Sequence, residues 1–146
     1  MRVLFDTDVI LDVLLDRPGF SEPATALFEA NEQGLLDGYI SAITPVNVFY
    51  IARKLKGAEM ARRVAGELLA IFRVCPLDQA TLQAALLLPL SDYEDAVQLA
   101  SAIVGELDAI VTRNLEDYKN ATLAVFSPTQ LLARVIEESN TPPAAS

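Results

Sequence analysis

Residues Ser91 to Ala102 read SDYEDAVQLASA, three carboxylates followed by a run of small and apolar side chains. Ser91 with Glu94 three residues later is a capping-box pattern. It predicts a helix with Ser91 as N-cap and with Asp92, Glu94 and Asp95 in or beside the first turn. The helix dipole favours acids at that end. Val97, Leu99, Ala100, Ile103 and Val104 leave hardly any polar face, so this helix should be buried on most sides. A buried helix with acids at one end needs a counter-charge there. Capping explains Ser91 and Glu94. Asp95 sits one turn in, ahead of the apolar stripe, and is the strongest single ligand candidate. Asp92 shares its face and adds a second carboxylate.

Two other stretches supply acids to the same place. Met1 to Asp6 is an apolar run ending in Asp, and Ala109 to Val111 is an apolar run followed by TRNLEDY. If these are parallel strands, Asp6, Asp95 and Asp117 converge on one edge of a sheet. The rest of the chain supports that topology. Further strands are expected at residues 39–43, 72–75 and 123–126, alternating with helices. Those helices begin after Asp6, at Ser21 with Pro23 just inside, at Thr44-Pro45, at Ala58, at Asp78 and at Ser127-Pro128. Such alternation predicts a parallel sheet of about four to five strands covered on both faces by helices, a three-layer α/β/α fold. Ligands in such sheets bind beyond the carboxyl ends of the strands, near the topological switch point. Residues 1–137 are expected to form one domain, and 138–146, SNTPPAAS with the residue before it, a disordered polar tail.

Composition narrows the chemistry. At 146 residues the chain is long enough to bury roughly two thirds of its unfolded surface. The single cysteine, Cys75, cannot form an internal disulfide and suits a reducing compartment. The N-terminal MRVLFDTDV reads as neither a signal peptide nor a membrane span, and the expected location is cytoplasmic. There is no histidine. That removes imidazole bases, His-based triads and ordinary zinc sites, and leaves carboxylates, which favour Mg²⁺, Mn²⁺ or Ca²⁺. The net charge of −9 argues against nucleic-acid binding by bulk electrostatics. Acids gathered around a divalent cation are neutralised once it binds, however, and local basic patches still contact phosphate.

The remaining candidates have a plain structural reading beside the functional one. Asp6 is as well placed to cap the following helix as to face a crevice. Asp8 and Asp12 read as surface or dipole-favoured residues of that helix, with Asp8 in reach of an outer metal shell. Asn114 reads as a cap with Asp117 at the third helical position, or as the floor of a polar pocket together with Thr112. Arg113 either touches phosphate or sits on the surface. Arg53, Lys54, Lys56, Arg62 and Arg63 form the one dense basic cluster. Its default reading is a solvated helix face, and its sharper reading a groove for nucleic-acid backbone or for an acidic partner.

Four stretches in this order, VLFDTDVILDVLLDR, ISAITPVNVFYIARK, DYEDAVQLASA, and DAIVTRNLEDY with VFSPTQLL, resemble the PIN domain, the fold of VapC-type toxins of toxin–antitoxin pairs and of other metal-dependent ribonucleases. The resemblance spans Met1 to about Leu132. It implies a Mg²⁺- or Mn²⁺-dependent endoribonuclease in which Asp6, Asp95 and Asp117 are the metal-binding acids, with Thr112 and Asn114 organising the pocket. It also implies an RNA substrate, an antitoxin that covers the acidic pocket, and a homodimer. The sequence departs from the family pattern at Asn47, where many members carry Glu. A degenerate module that binds RNA or a protein partner without cutting it is the alternative. FDTDV also has the D-x-D form of a HAD-type phosphatase loop, but that chemistry wants a Lys ahead of a further acidic pair, and Lys119 follows the acids.

Overall fold

Short runs of strand-forming residues alternate with amphipathic segments to give β1 (Arg2–Phe5), α1 (Thr7–Leu14), α2 (Ser21–Glu32), β2 (Asp37–Ser41), α3 (Ile43–Lys56), α4 (Ala58–Ile71) and β3 (Arg73–Cys75). The chain continues through α5 (Gln79–Leu86), α6 (Tyr93–Val104), β4 (Ala109–Val111), a one-turn 3-10 helix (Leu115–Tyr118), β5 (Ala124–Phe126) and α7 (Pro128–Asn140). The structure is a computed structural model and describes residues 1–141.

All five strands are parallel, in the order β3-β2-β1-β4-β5. Phe5 lies opposite Val111, so the next residues, Asp6 and Thr112, emerge side by side at the carboxyl edge. The direction of winding reverses between β1 and β4, which puts the switch point beside Asp6. Side chains alternate across β1: Val3 and Phe5 enter one core, and Leu4 enters the other with Leu99 and Ile110. The first core is keyed by Phe5, Phe28 and Phe72, with ring centroids 4.9 Å apart for Phe5–Phe72 and 5.1 Å for Phe28–Phe72. The two cores make the expected three-layer α/β/α arrangement.

α6 is buried along Ala96 to Ala102, as its apolar sequence requires. Three alanines in that run let its backbone approach the sheet closely. Leu99 alone contributes about 2 kcal/mol by leaving water, and a charge at that position would break the seat. Gly57 joins α3 to α4 at φ +92°, a conformation that side-chain-bearing residues rarely adopt.

Several boundaries differ from the sequence reading. α6 is capped by Asp92, whose carboxylate accepts from the Asp95 N–H at 3.0 Å, and Ser91 lies outside the helix. β2 starts and ends two residues earlier than expected, and α3 begins at Ile43 without a side-chain cap. Pro45 is tolerated there because first-turn N–H groups have no helical acceptor. Thr44, expected as the cap, is buried and hydrogen-bonds Thr7 instead. Ser21 is the first residue of α2, with its hydroxyl donating to Asp16. Asp78 and the Ser127/Gln130 capping box behave as expected. α7 runs past the expected end at Glu137 to Asn140, so residues 138–140, expected in the tail, are helical. Residues 142–146 of that tail lie outside the described residues.

Candidate metal centre

The site grows from the end of β1. Asp6 caps α1 through the Asp8 N–H, so its carboxylate turns towards the carboxyl edge of the sheet, and it is 3% exposed. The Thr112 hydroxyl at the end of β4 donates to Asp6 Oδ2 at 2.6 Å. From α6 the Gln98 amide donates to Asp6 Oδ1 at 3.3 Å, while Gln98 Oε1 accepts from the Thr7 N–H at 3.0 Å. Thr7 in turn shares a hydrogen bond with Thr44 of α3. One buried polar network thus ties β1, β4, α3 and α6 around a single carboxylate.

Asp95, one turn into α6, accepts from the Tyr118 hydroxyl at 3.3 Å. Asn114 takes the cap position of the 3-10 turn but makes no side-chain cap bond. Its N–H donates to Thr112 Oγ1 at 3.0 Å and its amide to Asp8 Oδ2 at 2.9 Å. Asp117 follows on the exposed side of the same turn. A cavity of about 580 Å³ opens at this edge, and Asp6, Asp95, Asp117, Asp92, Asn114 and Asn47 all line it, joined by Asp8, Glu94 and Tyr50. Three stretches far apart in the chain therefore deliver their acids to one cleft, at the switch point.

Nothing cationic meets them. Among the described residues, no Lys or Arg pairs with any carboxylate of the cavity. The consequence is visible in their proton affinity. Burial pushes the Asp6 carboxyl up to about 6, against the pull of the Thr112 hydrogen bond. Burial, then the charges of Asp6, Asp92 and Asp117, push Asp95 up to about 7. The Tyr118 phenol is driven far above its ordinary value, by burial first and then by Asp6 and Asp95.

All these donors are hard oxygens, which fits Mg²⁺ or Mn²⁺ and excludes a thiolate or imidazole site. The uncompensated charge fits a cation too. The spacing does not yet close around one: among the described residues, no three acids stand close enough together to share an ion.

Two residues stand elsewhere than expected. Asp12 is no surface residue: it is wholly buried between Arg17 at 3.3 Å and Arg113 at 2.9 Å. The Arg113 contact is out of hydrogen-bonding alignment, which leaves Asp12 Oδ2 and Arg113 Nε without a hydrogen-bond partner. Burial raises the Asp12 carboxyl, and Arg113 and Arg17 draw it part of the way back. Arg113 does not line the cavity; it pairs with Asp12 and stacks 4.1 Å over the Phe20 ring. Arg53 and Lys54 are exposed on the last turn of α3, outside the cavity lining. Two residues of the site, Gln98 and Tyr118, were not anticipated. Gln98 had a signal, a bulky polar residue within a run of small and apolar ones.

The match to a known family follows this geometry. Residues 2–116 fit the PIN domain family model, and the chain belongs to the PIN domain family. The matched region stops one residue short of Asp117. A search of curated protein sequences returns no match. Among solved structures the chain is similar to VapBC2 from Rickettsia felis, solved on a promoter DNA fragment, at TM-score 0.68 and 15% identity, covering 87% of this chain and 98% of that one. It is also similar to FitAcB from Neisseria gonorrhoeae, at TM-score 0.64 and 26% identity, over 87% and 98% of the two chains. A toxin–antitoxin complex from Klebsiella pneumoniae matches at TM-score 0.64 and 24% identity, over 86% and 97%.

Proposed function

We propose that this PIN domain is a Mg²⁺- or Mn²⁺-dependent endoribonuclease and the toxin of a toxin–antitoxin pair. One observation carries the reading: Asp6, Asp95 and Asp117 line a single cleft that contains no cation of the protein's own. Those three acids would hold the ion, with Asp92 in reach. When bound, it lowers the pKa of a water and offsets charge on the leaving oxygen of a phosphodiester. Thr112 and Gln98 hold Asp6 in place, and Asn114 holds Asp8. Asp95, pushed up to about 7 by burial and its acidic neighbours, would serve as a ligand in its deprotonated form. Asn47 offers a neutral acceptor where a Glu would add charge.

Arg53 and Lys54 are exposed, form no ion pair among the described residues, and would meet RNA backbone in this reading. Lys54 follows Asn47 and Tyr50 along the same face of α3. The toxin role draws on the family match together with the resemblance of the sequence to VapC-type toxins. An antitoxin arginine over the acidic cleft, a homodimer through the helical surface and a cytoplasmic site of action belong to the same reading. Among the described residues, no helix is long and apolar enough to cross a membrane.

The test is RNA cleavage with and without Mn²⁺, in wild type and Asp95→Asn. Metal-dependent cutting that disappears in the variant is expected, and full activity in the variant would remove the reading. A second reading, a module that binds RNA or protein without cutting, is favoured by the neutral Asn47 in the cleft. Calorimetry with Mn²⁺ on wild type and Asp6→Asn separates the two, because the non-catalytic module shows no site-dependent heat.

A further inference from the structure

Tyr118 has a buried ring and one polar contact. The side chain is 1% exposed and belongs to the core cluster of Leu4, Leu99 and Ile110. Its hydroxyl donates to Asp95 Oδ1 and to no other group among the described residues. A buried phenol needs a partner to replace water, so the plainest account is that Asp95 serves the tyrosine.

Two observations favour the reverse. The first is how the other buried acid of the cleft is held. Asp6 is gripped by uncharged donors on buried side chains, Thr112 and Gln98, and receives no cation. Tyr118 does the same for Asp95: a neutral donor fixes one oxygen and leaves the charge available. Asp95 Oδ2 has no hydrogen-bond partner among the described residues, and Asp95 lines the cavity. The second is position. Leu115, Glu116 and Asp117 are exposed, and Tyr118 is the one buried residue of that 3-10 turn. The hydroxyl therefore comes from an anchor set in the core, and an anchored donor selects one carboxylate rotamer where a mobile one would follow it.

Resting on the divalent-metal reading above, we propose that Tyr118 is a positioning residue of the metal centre, its hydroxyl orienting the Asp95 carboxylate so that the second oxygen is presented to the ion. Tyr118→Phe removes only that hydroxyl and keeps the ring in its core cluster. Mn²⁺ affinity, followed through the electron paramagnetic resonance signal of free Mn²⁺, is compared in wild type, Tyr118→Phe, Asp95→Asn and the double variant, beside thermal unfolding without metal. Loss of an orienting partner should weaken Mn²⁺ binding roughly tenfold in Tyr118→Phe, while metal-free unfolding stays close to wild type. In the Asp95→Asn background the same change should have no further effect. Unchanged Mn²⁺ affinity in Tyr118→Phe would overturn the proposal, and so would a tenfold loss that persists in the Asp95→Asn background. Wild type that binds no Mn²⁺ would bring down the metal reading itself, and this proposal with it, whatever Tyr118→Phe does.

Discussion

The molecule buries carboxylates in two places and treats them in opposite ways. Asp12 is wholly buried, with Arg17 and Arg113 brought to it from the α1–α2 connection and the segment after β4. Asp6, six residues earlier in the chain and equally enclosed, receives only hydroxyl, amide and backbone N–H donors. The fold is therefore able to supply guanidinium groups to a buried acid, and does so where the charge serves structure. At the cleft it withholds them, leaving several carboxylates around one cavity with no Lys or Arg paired to them among the described residues. In the proposed function, the cation missing from this cleft is a divalent metal ion that arrives from outside.

That contrast can be broken at either pole. The largest effect is expected from Asp12→Ala, which strands two partly exposed guanidinium groups and empties a buried position, and should cost about 3 kcal/mol in urea unfolding. A loss below about 1 kcal/mol would reduce the Arg17–Asp12–Arg113 tie to an ordinary surface pair. Next, Mn²⁺ at 100 times its dissociation constant should stabilise wild type by about 2.7 kcal/mol and leave Asp6→Asn unmoved. Equal stabilisation of both would place the ion elsewhere.

The metal-free protein should also carry a pH signature. Asp95 rises to about 7 and Asp6 to about 6 on folding, so the folded state holds protons that the unfolded chain releases near pH 4. Their contribution is complete below about pH 4 and is lost as pH climbs to about 7. Discounted for the partial exposure of Asp95, Asp95→Asn should be more stable than wild type by about 1–2 kcal/mol at pH 8 without metal, and indistinguishable from it near pH 4. A wild type that instead gains stability from pH 5 to 8 would mean that the cleft is already neutralised from within. The smallest effect is expected at the rim: Lys54→Ala should weaken RNA binding a few-fold and lower the salt slope by about 1. An unchanged slope would leave Lys54 on a solvated helix face.

What could be read from sequence divides along the same line. The order of strands and helices, the parallel sheet and the arrival of Asp6, Asp95 and Asp117 at one edge followed from local patterns and one topological rule. At α6 the cap was legible to within a residue, since Ser91 and Asp92 are both good caps and only the backbone decides for Asp92, whereas at α3 the expected cap Thr44 bonds Thr7 instead. Asp12 was not legible, because its partner Arg113 comes from a distant loop and no local spacing links them. Tyr118 was hidden for the same reason, since its hydroxyl partner lies on a different element. Gln98 was the avoidable omission. A residue with two polar atoms inside an apolar run has to be satisfied somewhere, and here that place is Asp6 and Thr7.

The most direct test of the central claim is anomalous diffraction from a crystal of the protein soaked in Mn²⁺. One peak lying within about 2.5 Å of carboxylate oxygens of Asp6, Asp95 and Asp117 is the expected result. Density that avoids these three acids, or none at concentrations that saturate solution binding, would contradict it.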